Sequence, residues 1–259
     1  MHKVCLTNDD GPASVGLKKL AAALGENHDL LVVVPDSQRS GSGKALTLSR
    51  PIRILDRSDT GKYKVIVHDG LPADSVAIAL SEREDFDLFV SGINPGANLG
   101  YHRMLTSGTI GAAMEAALQG YPAIAISQDV ESKYWFTREG TEINLDSICM
   151  HAKKVIELVQ RKGFPEGIDV LNLNFPDEVT NDTPIIVTEP TIAPVRNRIE
   201  EREDPYGGAY YWLQGGEKGL GSTDDVVAVT EKNNITVSPI VIRSPKTKEL
   251  ETLRYFLEI

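Results

Sequence analysis

Lys3-Val4-Cys5-Leu6-Thr7-Asn8-Asp9-Asp10-Gly11 is a short apolar run that ends in three oxygen-bearing side chains and a glycine. Val4 to Leu6 reads as a buried strand. Leu17, Leu20, Ala21 and Leu24 then recur at helical spacing. A strand, a polar turn and a helix in that order open an α/β unit. Asp9 and Asp10 therefore belong at the carboxyl end of the first strand, the edge where open α/β sheets bind ligands. Neighbours on a strand point to opposite faces, but beyond its end the backbone turns and both carboxylates can face one point. Two clustered anions repel unless a proton or a cation lies between them. Oxygen donors of this kind suit a hard divalent ion, magnesium or manganese. Asn-Asp-Asp-Gly is equally ordinary turn chemistry, so the rest of the chain must separate the two readings.

Outward from this stretch, Leu30 to Val34 is a run of apolar residues, which fits a strand buried on both faces of a parallel sheet. It opens through Pro35-Asp36 into Ser37-Gln38-Arg39-Ser40-Gly41-Ser42-Gly43-Lys44. By βαβ logic this second polar loop lies at the same edge. Its Gly and Ser content lets backbone groups approach an anion, although composition alone favours a plain surface loop. Ile52–Leu55 and Lys64–Val67 read as strands, and Val76, Ala79 and Leu80 mark a helix after Gly70-Leu71-Pro72-Ala73-Asp74. Asp87 to Ser91 is the next strand. It delivers Gly92-Ile93-Asn94-Pro95-Gly96-Ala97-Asn98-Leu99-Gly100, where Asn94 and Asn98 are neutral oxygen ligands or phosphate donors. Ser107-Gly108-Thr109 stands before a helix whose inner face is Ile110, Ala113, Met114 and Ala117. The free amides of a helix N-terminus bind phosphate, and Ser107 serves equally as an N-cap. Pro122–Ser127 and 168–175 are further strands, separated by an amphipathic helix carrying Leu145, Ile148, Cys149, Ala152, Ile156 and Val159. Four loops thus converge on one sheet edge, which weighs more than any single motif.

From about Pro184 the alternation stops, which divides the chain into 1–183 and a β-rich part, 184–259. Here 184–188, Tyr210-Tyr211-Trp212-Leu213, 226–229 and 235–239 read as strands, and Leu250, Leu253 and Leu257 mark a final helix. Pro190, Pro194 and Pro205 flank the charged run 196–202, a solvated or interface face. An aromatic arm of this kind docks on a partner subunit or packs on its own chain.

The bulk composition narrows the function. The chain has 259 residues, 41% hydrophobic and 25% charged, enough for a sizeable core. A formal net charge of −10 argues against a nucleic-acid polymer as partner. It leaves room for a small phosphorylated substrate, because a metal inverts local charge. Cys5 and Cys149 read as core residues rather than a disulfide or zinc site. No apolar run suits a membrane span and no signal-peptide pattern is present, so a soluble, cytoplasmic protein is expected.

Taken together, these stretches resemble the SurE family, survival protein E, a group of metal-dependent nucleotide phosphatases. The resemblance lies in Thr7-Asn8-Asp9-Asp10-Gly11, Val34-Pro35-Asp36 with Arg39-Ser40-Gly41, Ser91-Gly92-Ile93-Asn94 with Gly96 and Asn98-Leu99-Gly100, and Ser107-Gly108-Thr109. It continues in Asn172-Leu173-Asn174-Phe175-Pro176, Tyr210-Tyr211-Trp212 and Thr223-Asp224. Leu71 stands where the family places a threonine and Ser75 where it places a cysteine, departures that bear on substrate preference. The resemblance implies a Rossmann-like, mostly parallel sheet with helices on both faces, plus a C-terminal part that exchanges an arm between subunits of a homodimer or homotetramer. It implies hydrolysis of nucleoside 5′- and 3′-monophosphates, some relatives also acting on short polyphosphate. It implies one divalent metal per subunit, magnesium or manganese, held by Asp9, Asp10, Ser40 and Asn94. Asp9 and Asp10 are the expected catalytic pair, with Asp9 as general base. Asn8, Gly41, Asn98, Ser107, Gly108 and Thr109 are expected around the phosphate. An aspartyl-phosphate mechanism is disfavoured because such enzymes space their two aspartates one residue apart. The alternative outside catalysis is a metal- or nucleotide-binding regulatory protein, against which stands the lack of G-x-G-x-x-G after the first strand. His102 reads as a solvated loop histidine more readily than as a catalytic acid.

Overall fold

The computed structural model describes residues 1–131, 145–192, 197–214 and 225–258. The opening apolar run forms β1 (Lys3–Thr7). α1 (Val15–Gly25) follows, started by Ser14, whose Oγ accepts from the Leu17 amide at 3.3 Å. Then come β2 (Asp29–Pro35), β3 (Ile54–Asp59), β4 (Lys64–His68), α2 (Asp74–Glu82), β5 (Leu88–Pro95), α3 (Gly100–Thr106), α4 (Gly108–Leu118), β6 (Ala123–Gln128), α5 (Leu145–Lys162) and β7 (Val170–Phe175). β8 (Ile185–Val187), β9 (Arg198–Glu203), β10 (Ala209–Gln214), α6 (Asp225–Thr230), β11 (Ile235–Ile240) and α7 (Thr247–Leu257) complete the chain.

The main sheet has nine strands in the order β3-β4-β2-β1-β5-β6-β7-β11-β8. The block from β4 to β7 is parallel throughout, with β1 central between β2 and β5. β3 pairs antiparallel on one side and β11 antiparallel to β7 on the other. The period-two rule of strands splits the core in two. Val4 and Leu6 of β1, Leu30, Val32 and Val34 of β2, and Ile124 and Ile126 of β6 face α1 and α5, through Leu17, Leu20, Leu24, Ile148 and Ile156. Cys5, Leu31, Val33, Phe89, Ala123 and Ala125 face α2 and α4, through Val76, Ala79, Ile110, Ala113 and Ala116. Helices therefore cover both faces, which is why these strands are apolar without alternation. Both cysteines are free and buried, and burial pushes the Cys149 thiol up to about 11. Among the described residues no helix is long and apolar enough to cross a membrane.

One reading of the C-terminal part changes. Residues 226–229 are helical, within α6, rather than a strand. Three valines and their β propensity favour a strand there, but burial decides. Val229 and Val226 pack on Ala97 and Leu99, and the fully buried Asp225 begins the helix. β8 and β11, both from the segment after Pro184, are strands as expected and extend the main sheet. A separate two-stranded sheet pairs β9 with β10 antiparallel, setting Trp212 opposite Glu200. Thr223 and Asp224, Pro194 and Arg196 lie outside the described residues.

Candidate active site at the carboxyl edge of the sheet

Asn8 folds the loop after β1. Its side-chain Oδ1 accepts from the Gly11 amide at 3.1 Å and its Nδ2 donates to the Gly11 carbonyl at 3.2 Å. Both ends of the buried amide are thus spent on shaping the turn. Gly11 has φ +84°, and a Cβ there would meet the Pro35 carbonyl at 3.1 Å and Ser37 Cα at 3.2 Å. Glycine therefore lets the first and second loops touch.

Asp9 is the knot of the site. It is 3% exposed. Its Oδ1 accepts from Thr109 Oγ1 at 2.5 Å and its carbonyl from the Arg39 amide at 2.6 Å, so one residue ties β1, the 37–44 loop and the start of α4 together. Gly108 lies against it: a Cβ at 108 would sit 2.7 Å from Ser42 Oγ, 2.8 Å from Asp9 Cβ and 3.0 Å from Asp9 Oδ2. Asp10 accepts from Gln38 Nε2 at 3.3 Å through Oδ1, while its Oδ2 is buried with no hydrogen-bond partner among the described residues.

The electrostatics follow from this packing. Burial pushes the Asp9 carboxyl up, against the pull of its bonds from Thr109. Burial first and the Asp9 charge second push Asp10 up to about 8. A buried carboxylate beside a half-buried one with an unpartnered oxygen is what a hard cation relieves. Among the described residues no group of three His, Cys, Asp or Glu could hold a metal. A cation beside Asp9 and Asp10 would meet carboxylate and neutral oxygens, donors that suit a hard ion better than a soft one.

The remaining predicted residues fall on the same edge in different states. Ser40 and Gly41 are exposed on the second loop, Gly41 at φ +76°. Asn94 is carried past the end of the regular ladder by a bulge, since Ser91 faces Ala125 while Asn94 faces Ser127. Its Nδ2 donates to the Gly96 carbonyl at 2.6 Å. Asn98 is buried in a polar network. Its Nδ2 donates to Ser127 Oγ at 2.7 Å, its amide to Asn174 Oδ1 at 2.8 Å, and its carbonyl accepts from Asn172 at 2.9 Å. Ser107 caps α4, its Oγ accepting from the Ile110 amide at 3.2 Å. The structure thus joins Asp9, Gly108 and Thr109 by direct contact, and leaves Asn8, Asn98 and Ser107 engaged in holding their loops.

Several supporting residues carry no motif. Lys44 pairs with Glu115, a 5% exposed carboxylate on α4 that also accepts from Gln119 Nε2 at 3.0 Å. The Gly43 amide donates to the Thr106 carbonyl at 2.9 Å, and a Cβ at Gly111 would lie 2.1 Å from the Gly43 carbonyl oxygen. The second loop is therefore clamped to α4, and the acid on an otherwise apolar helix was its only sign in the sequence. Lys44→Met is expected to lower stability by about 2 kcal/mol in urea denaturation, because it strands a buried carboxylate. Lys44 is itself partly exposed, so the loss falls below that of a fully buried pair.

Ser75 also has an explanation. His68 is fully buried; its Nδ1 accepts from the Gly70 amide at 3.0 Å, so its Nε2 donates to Ser75 Oγ at 2.7 Å. Asp74 beside it accepts from the Thr47 and Leu71 amides at 3.0 and 2.7 Å. Ser75 therefore accepts a proton bond instead of giving one, and it is not an activated nucleophile. Burial lowers His68 to about 4. The unfolded chain takes up a proton near 6.5, so this contribution is full above that pH and is lost as pH falls through about 4. Wild type should lose about 3 kcal/mol relative to His68→Gln between those pH values. Parallel urea titrations at both ends of the range read the difference, and equal pH slopes would refute it.

The profile of the family described as "Survival protein SurE" matches residues 4–197. A 5′-nucleotidase SurE of Thermococcus kodakarensis is 39% identical over 256 residues, covering 98% of each chain. A 5′-nucleotidase SurE of Methanothrix thermoacetophila is 35% identical over 266 residues and the full length of both. Among solved structures, a SurE protein from Aquifex aeolicus superposes with a TM-score of 0.78 at 30% identity, covering 98% of this chain and 99% of that one.

Proposed function

The chain belongs to the SurE family, and from that premise we propose that it is a divalent-metal-dependent phosphatase that releases phosphate from nucleoside 5′- and 3′-monophosphates. The observation that carries this reading is the pairing of buried Asp9 with half-buried Asp10, one oxygen unpartnered, set against the first turn of α4. Asp9, Asp10, Ser40 and Asn94 would hold the metal, one per subunit, magnesium or manganese. A bound divalent ion supplies charge neutralisation at the ester phosphate and a water of lowered pKa. The chain's own groups do the rest. The amide of Gly108, at the start of α4, takes a phosphate oxygen, as helix N-termini do, while Thr109 serves Asp9 through both its amide and its hydroxyl. Thr109 holds Asp9 in place through Oδ1, and Asp9 Oδ2 takes the proton of the attacking water. Ser107, Asn8 and Asn98 keep the three loops in register, and Gly41 lets the second loop approach.

We assign residues 1–183 to catalysis and 184–259 to assembly as a homodimer or homotetramer. Exposed apolar surface supports this. Tyr211, Trp212 and Leu213 on β10 are 61%, 56% and 68% exposed, and Tyr255 and Phe256 on α7 are 88% and 78% exposed. A chain truncated before residue 247 is expected to shift to a smaller assembly in light scattering; an unchanged mass would remove α7 from the interface.

The decisive experiment is phosphate release from 5′- and 3′-AMP and short polyphosphate with magnesium or manganese, against a chelated control. Turnover that survives chelation would overturn the metal assignment. Nucleotide binding with no turnover under any metal would make the protein a regulatory binder instead.

A further inference from the structure

We propose that Ser42 is a phosphate-contacting residue of this site, its hydroxyl donating to an oxygen of the substrate phosphate seated on Gly108. The inference rests on the phosphatase reading above and adds a group to it. Ser42 Oγ is buried and has no hydrogen-bond partner among the described residues. Buried hydroxyls in folded proteins almost always have one, so a lone hydroxyl at a ligand edge points to a partner supplied by the ligand. Its position is specific. The same ideal Cβ on Gly108 would touch Ser42 Oγ at 2.7 Å and Asp9 Oδ2 at 3.0 Å. The hydroxyl and the carboxylate oxygen therefore both pack against the first residue of α4.

The loop is built to hold it there. The Ser42 amide donates to the Arg39 carbonyl at 3.3 Å, and the Arg39 amide in turn donates to Asp9. Gly43 bonds to Thr106 on the other side, and Lys44 pairs with Glu115 one residue further on. Ser42 is thus fixed between anchors on both flanks. Its hydroxyl makes no bond to any described group, which leaves the proton for an oxygen of the ligand.

Ser42→Ala separates this role from a structural one. Calorimetric titration of inorganic phosphate into the manganese-loaded protein should show affinity weakened about tenfold, the usual scale of a hydrogen bond to a charged group. Manganese affinity of the phosphate-free protein should stay within about twofold, because Ser42 is outside the metal set. The melting temperature without phosphate should hold or rise, since an unpartnered buried oxygen is removed. Unchanged phosphate affinity overturns the proposal. So does a parallel loss of manganese affinity or a lower melting temperature, which would make Ser42 a support of the loop. These are binding and melting readouts, so they stand apart from the nucleotidase reading, which fails separately if wild type releases no phosphate from AMP.

Discussion

Asp10→Asn should cut phosphate release from AMP by about a thousandfold while raising the melting temperature of the metal-free protein. The first effect follows from losing one of the two carboxylates that would hold the divalent ion against the reacting phosphate. The second is less intuitive and comes from the same geometry. Asparagine keeps the size of the side chain and an oxygen for the Gln38 bond, yet removes the charge repelled by Asp9. A carboxyl raised to about 8 in the folded state costs nothing below its unfolded pKa. That contribution is lost as pH rises toward 8, so at neutral pH the metal-free wild type gives up roughly 2–4 kcal/mol that the variant keeps. Manganese should raise the melting temperature of wild type well above that of the variant. Activity that survives the substitution, or a metal-free variant that melts lower than wild type, would sink the account of the pair.

Asp225→Ala should destabilise the fold by about 3–5 kcal/mol, a loss of roughly 10 °C in melting temperature for a chain of this size. Asp225 is fully buried, and its carboxylate accepts from the Gly100 amide at 2.7 Å and from the amide and hydroxyl of Thr191 at 3.0 and 2.8 Å. Truncation takes a buried acceptor away from the Gly100 amide and from Thr191, which costs desolvation free energy. The same bond fixes Gly100, two residues beyond Asn98, so kcat should fall more than stability alone explains. Asp225→Asn keeps one good acceptor and should recover about half of the loss. A thermal scan of both variants decides it; a drop of under 1 kcal/mol for Asp225→Ala would mean that water replaces the carboxylate.

Much of this molecule is legible from its sequence because burial on both faces of a sheet writes itself as unbroken apolar runs. Leu30 to Val34 sends alternate side chains to two different cores, and the chain records that as five apolar residues together. The strand ends, loops and helix start that follow such runs carry Asp9, Asp10, Ser40, Asn94 and Thr109, and their order alone predicts one shared edge. The valines of α6 mislead, because their helix is decided by Ala97, Leu99 and the anchored Asp225. β8 and β11 mislead less: they are strands as expected, but a strand pattern says nothing about which sheet receives it.

The sequence by itself determined the α/β alternation, the pair of acids after β1 and the family, since all three are written in local order and spacing. Only the tertiary structure decided which oxygens are satisfied. Thr109 reaches Asp9 across 100 positions and Asp225 reaches Gly100 across 125. Whether a carboxyl is raised, a hydroxyl stranded or a lysine paired depends on what the fold brings within about 3 Å, the reach of a hydrogen bond. Spacing along the chain does not encode that distance.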